Sequence, residues 1–352
     1  MPSPPPRMSP LPASAEPLPS VRILNQVEED PRLLSVFPRN TPECRIVTFA
    51  VHMGLSILET GASRRTLVDT GMRVLDRWGA RGMRSRAVGA VSRTPNRQAM
   101  MNLVDDFLSK CRADSPNVIL SNRVVGDAST ERYTWYEPQN GHDFDPKRAA
   151  LVFVNSTIVR NAIQAADRLD REELRKFLFL LGISVAHELV HMFVGYLSGD
   201  NEDDTPPTIG RYPPGTSGIG EAGMHWENVL FNGFVEAMYD SSNPLGASQA
   251  GIYYLTTPSA RGRLLNRDWM LRMLRFGFDF PASTTGPEVN MRRLRPMEQL
   301  RPRSDYQMLS QVVTNHDRMM AYINNQPSIC FRSSDIERLM EMVDNPRRVR
   351  RD

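Results

Sequence analysis

Apolar positions recur at intervals of three and four residues in two early stretches of the chain. Leu67, Val68, Gly71, Val74, Leu75 and Trp78 share a face between Ser63 and Ala80. Met100, Leu103, Val104, Phe107 and Leu108 do so between Asn96 and Lys110. Both patterns predict amphipathic helices. The period then changes. Asn117–Val125, Arg132–Tyr136 and Ala149–Asn155 are short runs separated by Gly, Asp, Asn and Pro, and they predict strands. Ser156–Leu169 predicts a helix again. It is followed by Arg171–Leu197, apolar nearly all round from Phe177 to Val194, which predicts a buried central helix. Asp170 with Glu173 reads as its capping box, and Gly195 and Gly199 as places for it to stop.

The remaining segments are less regular. Cys44–Leu58 begins with β-branched residues and reads as a strand running into a helix. Glu221 opens a helix expected to reach Tyr239, with Trp226, Val229, Leu230, Phe234 and Ala237 inward. Ile252–Leu255 reads as a strand, Leu264–Phe276 as a basic amphipathic helix, and Phe280–Ser304 as an Arg/Pro-rich surface excursion. Helices around Tyr306–Asn324 and Asp335–Val343 complete the pattern. The expected fold is α+β: a small mixed sheet, a central helix and a mainly helical C-terminal part. The expected divisions are a disordered Pro-rich tail at 1–20, a main domain at 21–285, a helical extension packed on it at 286–346, and a basic tail at 347–352.

Composition excludes several function classes. The chain has 352 residues, and its 43 basic and 40 acidic residues leave a net charge of +3, which gives no electrostatic case for nucleic acid. The arginines from Arg64 to Arg93 are diluted by Asp69 and Asp76 and lack interleaved aromatic residues, so they read as a solvated face. Three widely spaced cysteines, Cys44, Cys111 and Cys330, indicate neither a disulfide framework nor a cysteine-zinc cluster. With no apolar leader at the N-terminus, an intracellular, reducing location is expected, cytoplasmic in the simplest case. Phe177–Tyr196 is long enough to span a bilayer but contains His187, Glu188 and His191, so no membrane role is expected.

Those three residues belong to His187-Glu188-Leu189-Val190-His191, an H-E-x-x-H pentapeptide. On a helix its histidines stand at i and i+4 on one face, where two neutral imidazoles can hold Zn²⁺. Glu188 then lies where it can take a proton from water at the metal. Burying two histidines and a glutamate without partners costs about 1–3 kcal/mol each, and a metal removes that cost. A catalytic site needs a third protein ligand. A histidine at position 197 with glycine at 194 would supply one, but Leu197 and Val194 stand there. Carboxylates remain, in the order Glu221, preferred beside Gly220 and Gly223, then Glu227, with Glu236 deep in the same helix. An oxyanion stabiliser is also needed; His225 is the first candidate, with Tyr239, Tyr253 and Tyr254 behind it.

The H-E-x-x-H helix, the loop after it and a second helix opening Gly220-Glu221 resemble the glutamate-ligand zincins, the gluzincins. Residues 187–195 and 220–227 are also similar to uncharacterised H-E-x-x-H proteins of filamentous fungi. The resemblance spans roughly residues 149–240 and implies a zincin-like fold. It implies a zinc metallopeptidase acting on a peptide or protein, with His187, His191 and Glu221 on the metal and Glu188 as general base. Gluzincins carry Asp four residues after the glutamate ligand; here that position is His225. The alternative is a zincin-like scaffold that binds metal or peptide without turnover.

Overall fold

The computed structural model describes residues 20–26, 34–82, 85, 96–124, 126–135, 144–199, 205–210, 220–300, 316–329 and 333–350. The expected Pro-rich tail, apart from Ser20, lies outside them, as do most of the Asp200–Gly220 loop, residues 301–315 and Arg84, Arg86 and Arg93.

The first sheet has five strands: β1 (Ile23–Gln26), β2 (Leu34–Val36), β3 (Asn117–Ser121), β4 (Ala128–Arg132) and β5 (Ala150–Asn155), in the order β2-β1-β3-β5-β4. The inner strands β1, β3 and β5 are parallel, and β2 and β4 are antiparallel at the edges. Strands β3 and β5 are buried along their whole length, which is why they stand out as continuous apolar runs. By contrast, β4 reads Ala-Ser-Thr-Glu-Arg. It begins before the expected Arg132–Tyr136 because an edge strand does not need an apolar run.

One face of this sheet is covered by helices. They include α1 (Pro42–Leu58), α2 (Gly61–Ala80), α3 (Arg97–Ala113), the single turn α4 (Pro146–Ala149), α5 (Ser156–Asp167) and α6 (Arg171–Ser198). The strand expected at the start of α1 is absent. Thr41 caps the helix through Cys44 N–H (3.3 Å) and Pro42 occupies its first turn, so a start signal overrides the β-branched Ile46, Val47 and Thr48. Helices α1 and α6 cross at Gly54 and Gly182; a Cβ at Gly54 would lie 3.0 Å from the Ala186 nitrogen. On the opposite face Leu24, Ile119, Leu151 and Phe153 pack against Met319, Met320 and Ile323. Arg22 ties that segment down, donating to the carbonyls of Gln326 (2.9 Å) and Asn324 (3.0 Å) and to Asn117 Oδ1 (2.8 Å).

Helix α6 is the buried centre, long and apolar enough by composition to cross a membrane, with most of that stretch inside the fold. Asp170 caps it through Glu173 N–H (3.1 Å), and Gly199 ends it at φ 72°. The capping box closes on one side only, because the Glu173 carboxylate accepts instead from Ala250 N–H (2.6 Å) and Lys176 (2.9 Å).

The chain beyond α6 departs from a mainly helical C-terminal part. Helix α7 (Ala222–Phe231) stops at Asn232 (φ 66°) and Gly233, not at Tyr239. A second, four-stranded antiparallel sheet follows: β6 (Phe234–Met238), β7 (Ile252–Thr256), β8 (Arg261–Leu265) and β9 (Thr284–Asn290), in sequence order. The predicted helix at 264–276 contracts to α8 (Arg267–Leu274), because Asn266 caps it through Asp268 and Trp269 N–H. Strand β9 crosses the expected 285/286 boundary and pairs with β8. Helices α9 (His316–Asn324) and α10 (Ser333–Asp344) complete the described elements with a 3-10 turn at Pro346–Val349. That turn is anchored: Val349 is buried and Arg350 pairs with Asp167 (2.6 Å). On α2, Arg64 pairs with Asp105, and Asp69 pairs with Arg97 of α3 (2.5 Å). Helices and two sheets together make the protein α+β.

Candidate metal centre

His187 and His191 lie one turn apart on α6, and their Nε2 atoms face each other at 3.2 Å. Glu221 is the N-cap residue of α7, and its Oε2 lies 3.2 Å from His191 Nε2. A short turn before the helix fixes it there: Glu221 N–H donates to the Ile209 carbonyl (2.9 Å) and Gly220 N–H to that of Thr205 (2.9 Å). One ligand atom from each of His187, His191 and Glu221 falls within 4.8 Å of the others, and these three residues can hold a metal ion.

The donor chemistry fits a borderline dication. Two nitrogens each about 2.0–2.1 Å from a tetrahedral metal are separated by about 3.3 Å, close to the observed spacing of 3.2 Å. His187 donates Nδ1–H to Glu227 Oε1 (2.6 Å), which leaves the Nε2 lone pair pointing at the site. Glu227 is held in turn by Val235 N–H at 3.1 Å. Two facing imidazole lone pairs beside a carboxylate need a cation or a proton between them. The fields agree: burial opposes charging His187, but the bond to Glu227 and the charges of Glu227, Glu188 and Glu221 push its pKa up to about 9. Burial would raise the Glu221 carboxyl, yet the neighbouring His191 and His187 imidazoles hold it below its ordinary value.

Glu227 thus bonds His187 from behind, and Glu221, not Glu227, belongs with the two histidines to the group of side chains that could hold a metal ion. The sequence reading singled out Gly223 only as a neighbour of Glu221. Gly223, in the first turn of α7, packs directly on the His187 ring, and a Cβ there would collide with Cδ2 and Nε2. Its only signal is its place in the Gly220–Gly223 stretch.

The triad opens into a cleft of about 510 Å³. One side is β4 from Ala128 to Thr130, the outer strand of its sheet, and Thr130 Oγ1 donates to the Glu188 carbonyl (3.1 Å). The other side is Phe234, Val235 and Glu236 of β6, with Glu298. The Glu188 side chain lines the cleft at 7% exposure and makes no hydrogen bond to the described residues. Glu236 sits in this wall and not deep in a helix. Burial raises its carboxyl pKa, the bond to Thr256 opposes this, and nearby Glu227 and Glu298 add to the rise.

The oxyanion candidates do not converge here. His225 does not line the cleft; burial and Arg73 of α2 lower its pKa against the pull of Asp69. The reason is geometric. Glu221 lies outside the helix proper, so the i,i+4 relation to His225 does not put both on one face, and Met224 and Glu227 face the cleft instead. Tyr253 donates its buried hydroxyl to the Lys176 carbonyl (2.8 Å), and the ring of Tyr239 lies under Arg295. Tyr254, like these, is not among the cleft residues.

Comparison with protein-family models, with curated proteins and with solved structures gives no match for this chain.

Proposed function

We propose that the chain is a zinc-dependent metallopeptidase of zincin-like fold, with His187, His191 and Glu221 as the metal ligands. The observation that carries this reading is the convergence of those three side chains at the mouth of a cleft containing Glu188. When bound, Zn²⁺ supplies Lewis acidity, acidifying water and polarising the peptide carbonyl. Glu188 takes a proton from water as the water oxygen adds to the carbonyl carbon. It hands that proton to the leaving nitrogen as the C–N bond breaks. The outer edge of β4 offers backbone groups to an extended peptide or protein segment, which strand addition would hold along the cleft. Glu227 keeps the His187 ring turned with Nε2 inward.

Metal analysis by mass spectrometry on the purified protein and a His187→Ala variant tests the site. About one zinc per chain is expected in the first and a large loss in the second; no stoichiometric zinc in either refutes it. Glu188→Gln is expected to keep the zinc and lose hydrolysis of a peptide library. A wild type that holds zinc and cleaves nothing would instead make the chain a zincin-like binding scaffold.

A further inference from the structure

The acid lining the cleft exceeds what a metal site uses. Asp127, Glu236 and Glu298 border it in addition to Glu188, Glu221 and Glu227, and no lysine or arginine is among the described residues that line it. Glu236 feels the charge of Glu298, so the two acids are neighbours in the cleft. The Glu298 carboxylate carbon is 3.9 Å from where a Cβ on Gly126 would stand, so this acid rests against the chain just before β4. The floor beside it is apolar, formed by Leu180 and Ile183 of α6, with Phe234 in the wall. Apolar sides for a stem and carboxylates for a head are what a lysine or arginine side chain requires. Glu188, a buried residue whose side chain lines the same cleft and makes no hydrogen bond to the described residues, indicates that the cleft receives a ligand.

Strand direction orients such a ligand. Thr130 meets Glu188 and Arg132 meets Gly195, so β4 runs alongside α6 in the same direction, with Gly126 at the Leu180 end. A peptide adding antiparallel to β4 runs the other way. Its residues on the C-terminal side of a bond held at the level of Thr130 therefore pass toward Gly126, Glu236 and Glu298. At about 3.3 Å per residue, one or two residues bring a side chain to that end.

We propose that Glu236 and Glu298 form a cation-selecting subsite, so that the protein prefers substrates with lysine or arginine within two residues C-terminal to the cleaved bond. This rests on the metallopeptidase reading for the cleavage but not for the binding, and two measurements separate them. The first is hydrolysis of an N-acetylated, C-amidated peptide library by the zinc-loaded full chain. Lysine or arginine is expected on the C-terminal side of the cut, at least about tenfold over norleucine in matched peptides. In a Glu236→Gln/Glu298→Gln variant the two matched peptides should be cleaved at nearly equal rates. Cleavage without that preference overturns the subsite and leaves the peptidase standing.

The second measurement is fluorescence anisotropy of the same lysine and norleucine peptides on zinc-loaded Glu188→Gln protein. Tighter binding of the lysine peptide is expected, and the difference should vanish when Glu236 and Glu298 are also changed to Gln. This result would support the subsite even if the wild type cleaved nothing. Equal binding of the two peptides would overturn it. If peptides with a free N-terminus bind or react regardless of side chain, and acetylated ones do not, the acids recognise a terminal amine and the side-chain assignment fails.

Discussion

Replacing Glu227 with Gln tests whether this carboxylate orients a metal ligand or is itself one. The carboxylate is 6% exposed and accepts two hydrogen bonds, from His187 Nδ1 (2.6 Å) and Val235 N–H (3.1 Å). Glutamine keeps the shape but has one acceptor oxygen, so its NH₂ must face one of the two donors. A buried donor left without an acceptor costs about 1–3 kcal/mol, and the surviving bond loses its ionic component, roughly half its strength. Loss of such an outer contact lowers metal affinity by about 10–100-fold. Competition titration against a fluorescent zinc chelator measures that affinity, and thermal unfolding of the metal-free protein measures the stability change. Glu221→Gln, which alters a ligand, should weaken zinc more than Glu227→Gln does. Zinc affinity within about threefold of wild type in Glu227→Gln would refute the orienting role. Abolished binding there, with Glu221→Gln unaffected, would exchange the two assignments.

Gly223→Ala should lose zinc without altering any candidate ligand, since its methyl group must displace the His187 ring; a destabilisation of about 1–3 kcal/mol is expected, and stoichiometric zinc with unchanged melting would refute the close packing. His52, on α1, is buried and accepts at Nδ1 from Arg112 (2.9 Å), while its Nε2 has no partner among the described residues; burial first, then the Arg112 charge, lowers its pKa to about 3. The unfolded chain therefore binds a proton that the folded chain refuses, so stability should fall as pH drops from about 6.5 toward 3, and His52→Gln should flatten that part of the denaturation profile; parallel profiles would refute the assignment.

The helical part of the candidate site was legible in the sequence because helix periodicity is local. His187, Glu188 and His191 share a face once the segment is helical, and the continuous apolarity around them marked α6 as central. Glu221 was the preferred third ligand, ahead of Glu227, from its glycines and from the exclusion of position 197. The division of roles between Glu221 and Glu227 was not legible. It depends on Glu221 falling just before α7 while Glu227 falls within it, and on a turn at 205–210 that holds Glu221 by its backbone. The same offset turned His225 toward Arg73 and out of the cleft.

The sequence by itself determined the elements whose burial is written in their period: α2, α3, α5, α6 and the fully buried strands β3 and β5. Only the tertiary structure decided the rest. Strand β4 is polar because its outer edge borders a cleft, and the second sheet has partly exposed strands whose pairing, not their apolarity, defines them. Residues distant in sequence, Glu236, Glu298 and Gly126, come together only when β6 and the chain before β4 border one cleft. A periodic pattern records which side of an element is buried; it does not record which other element lies there.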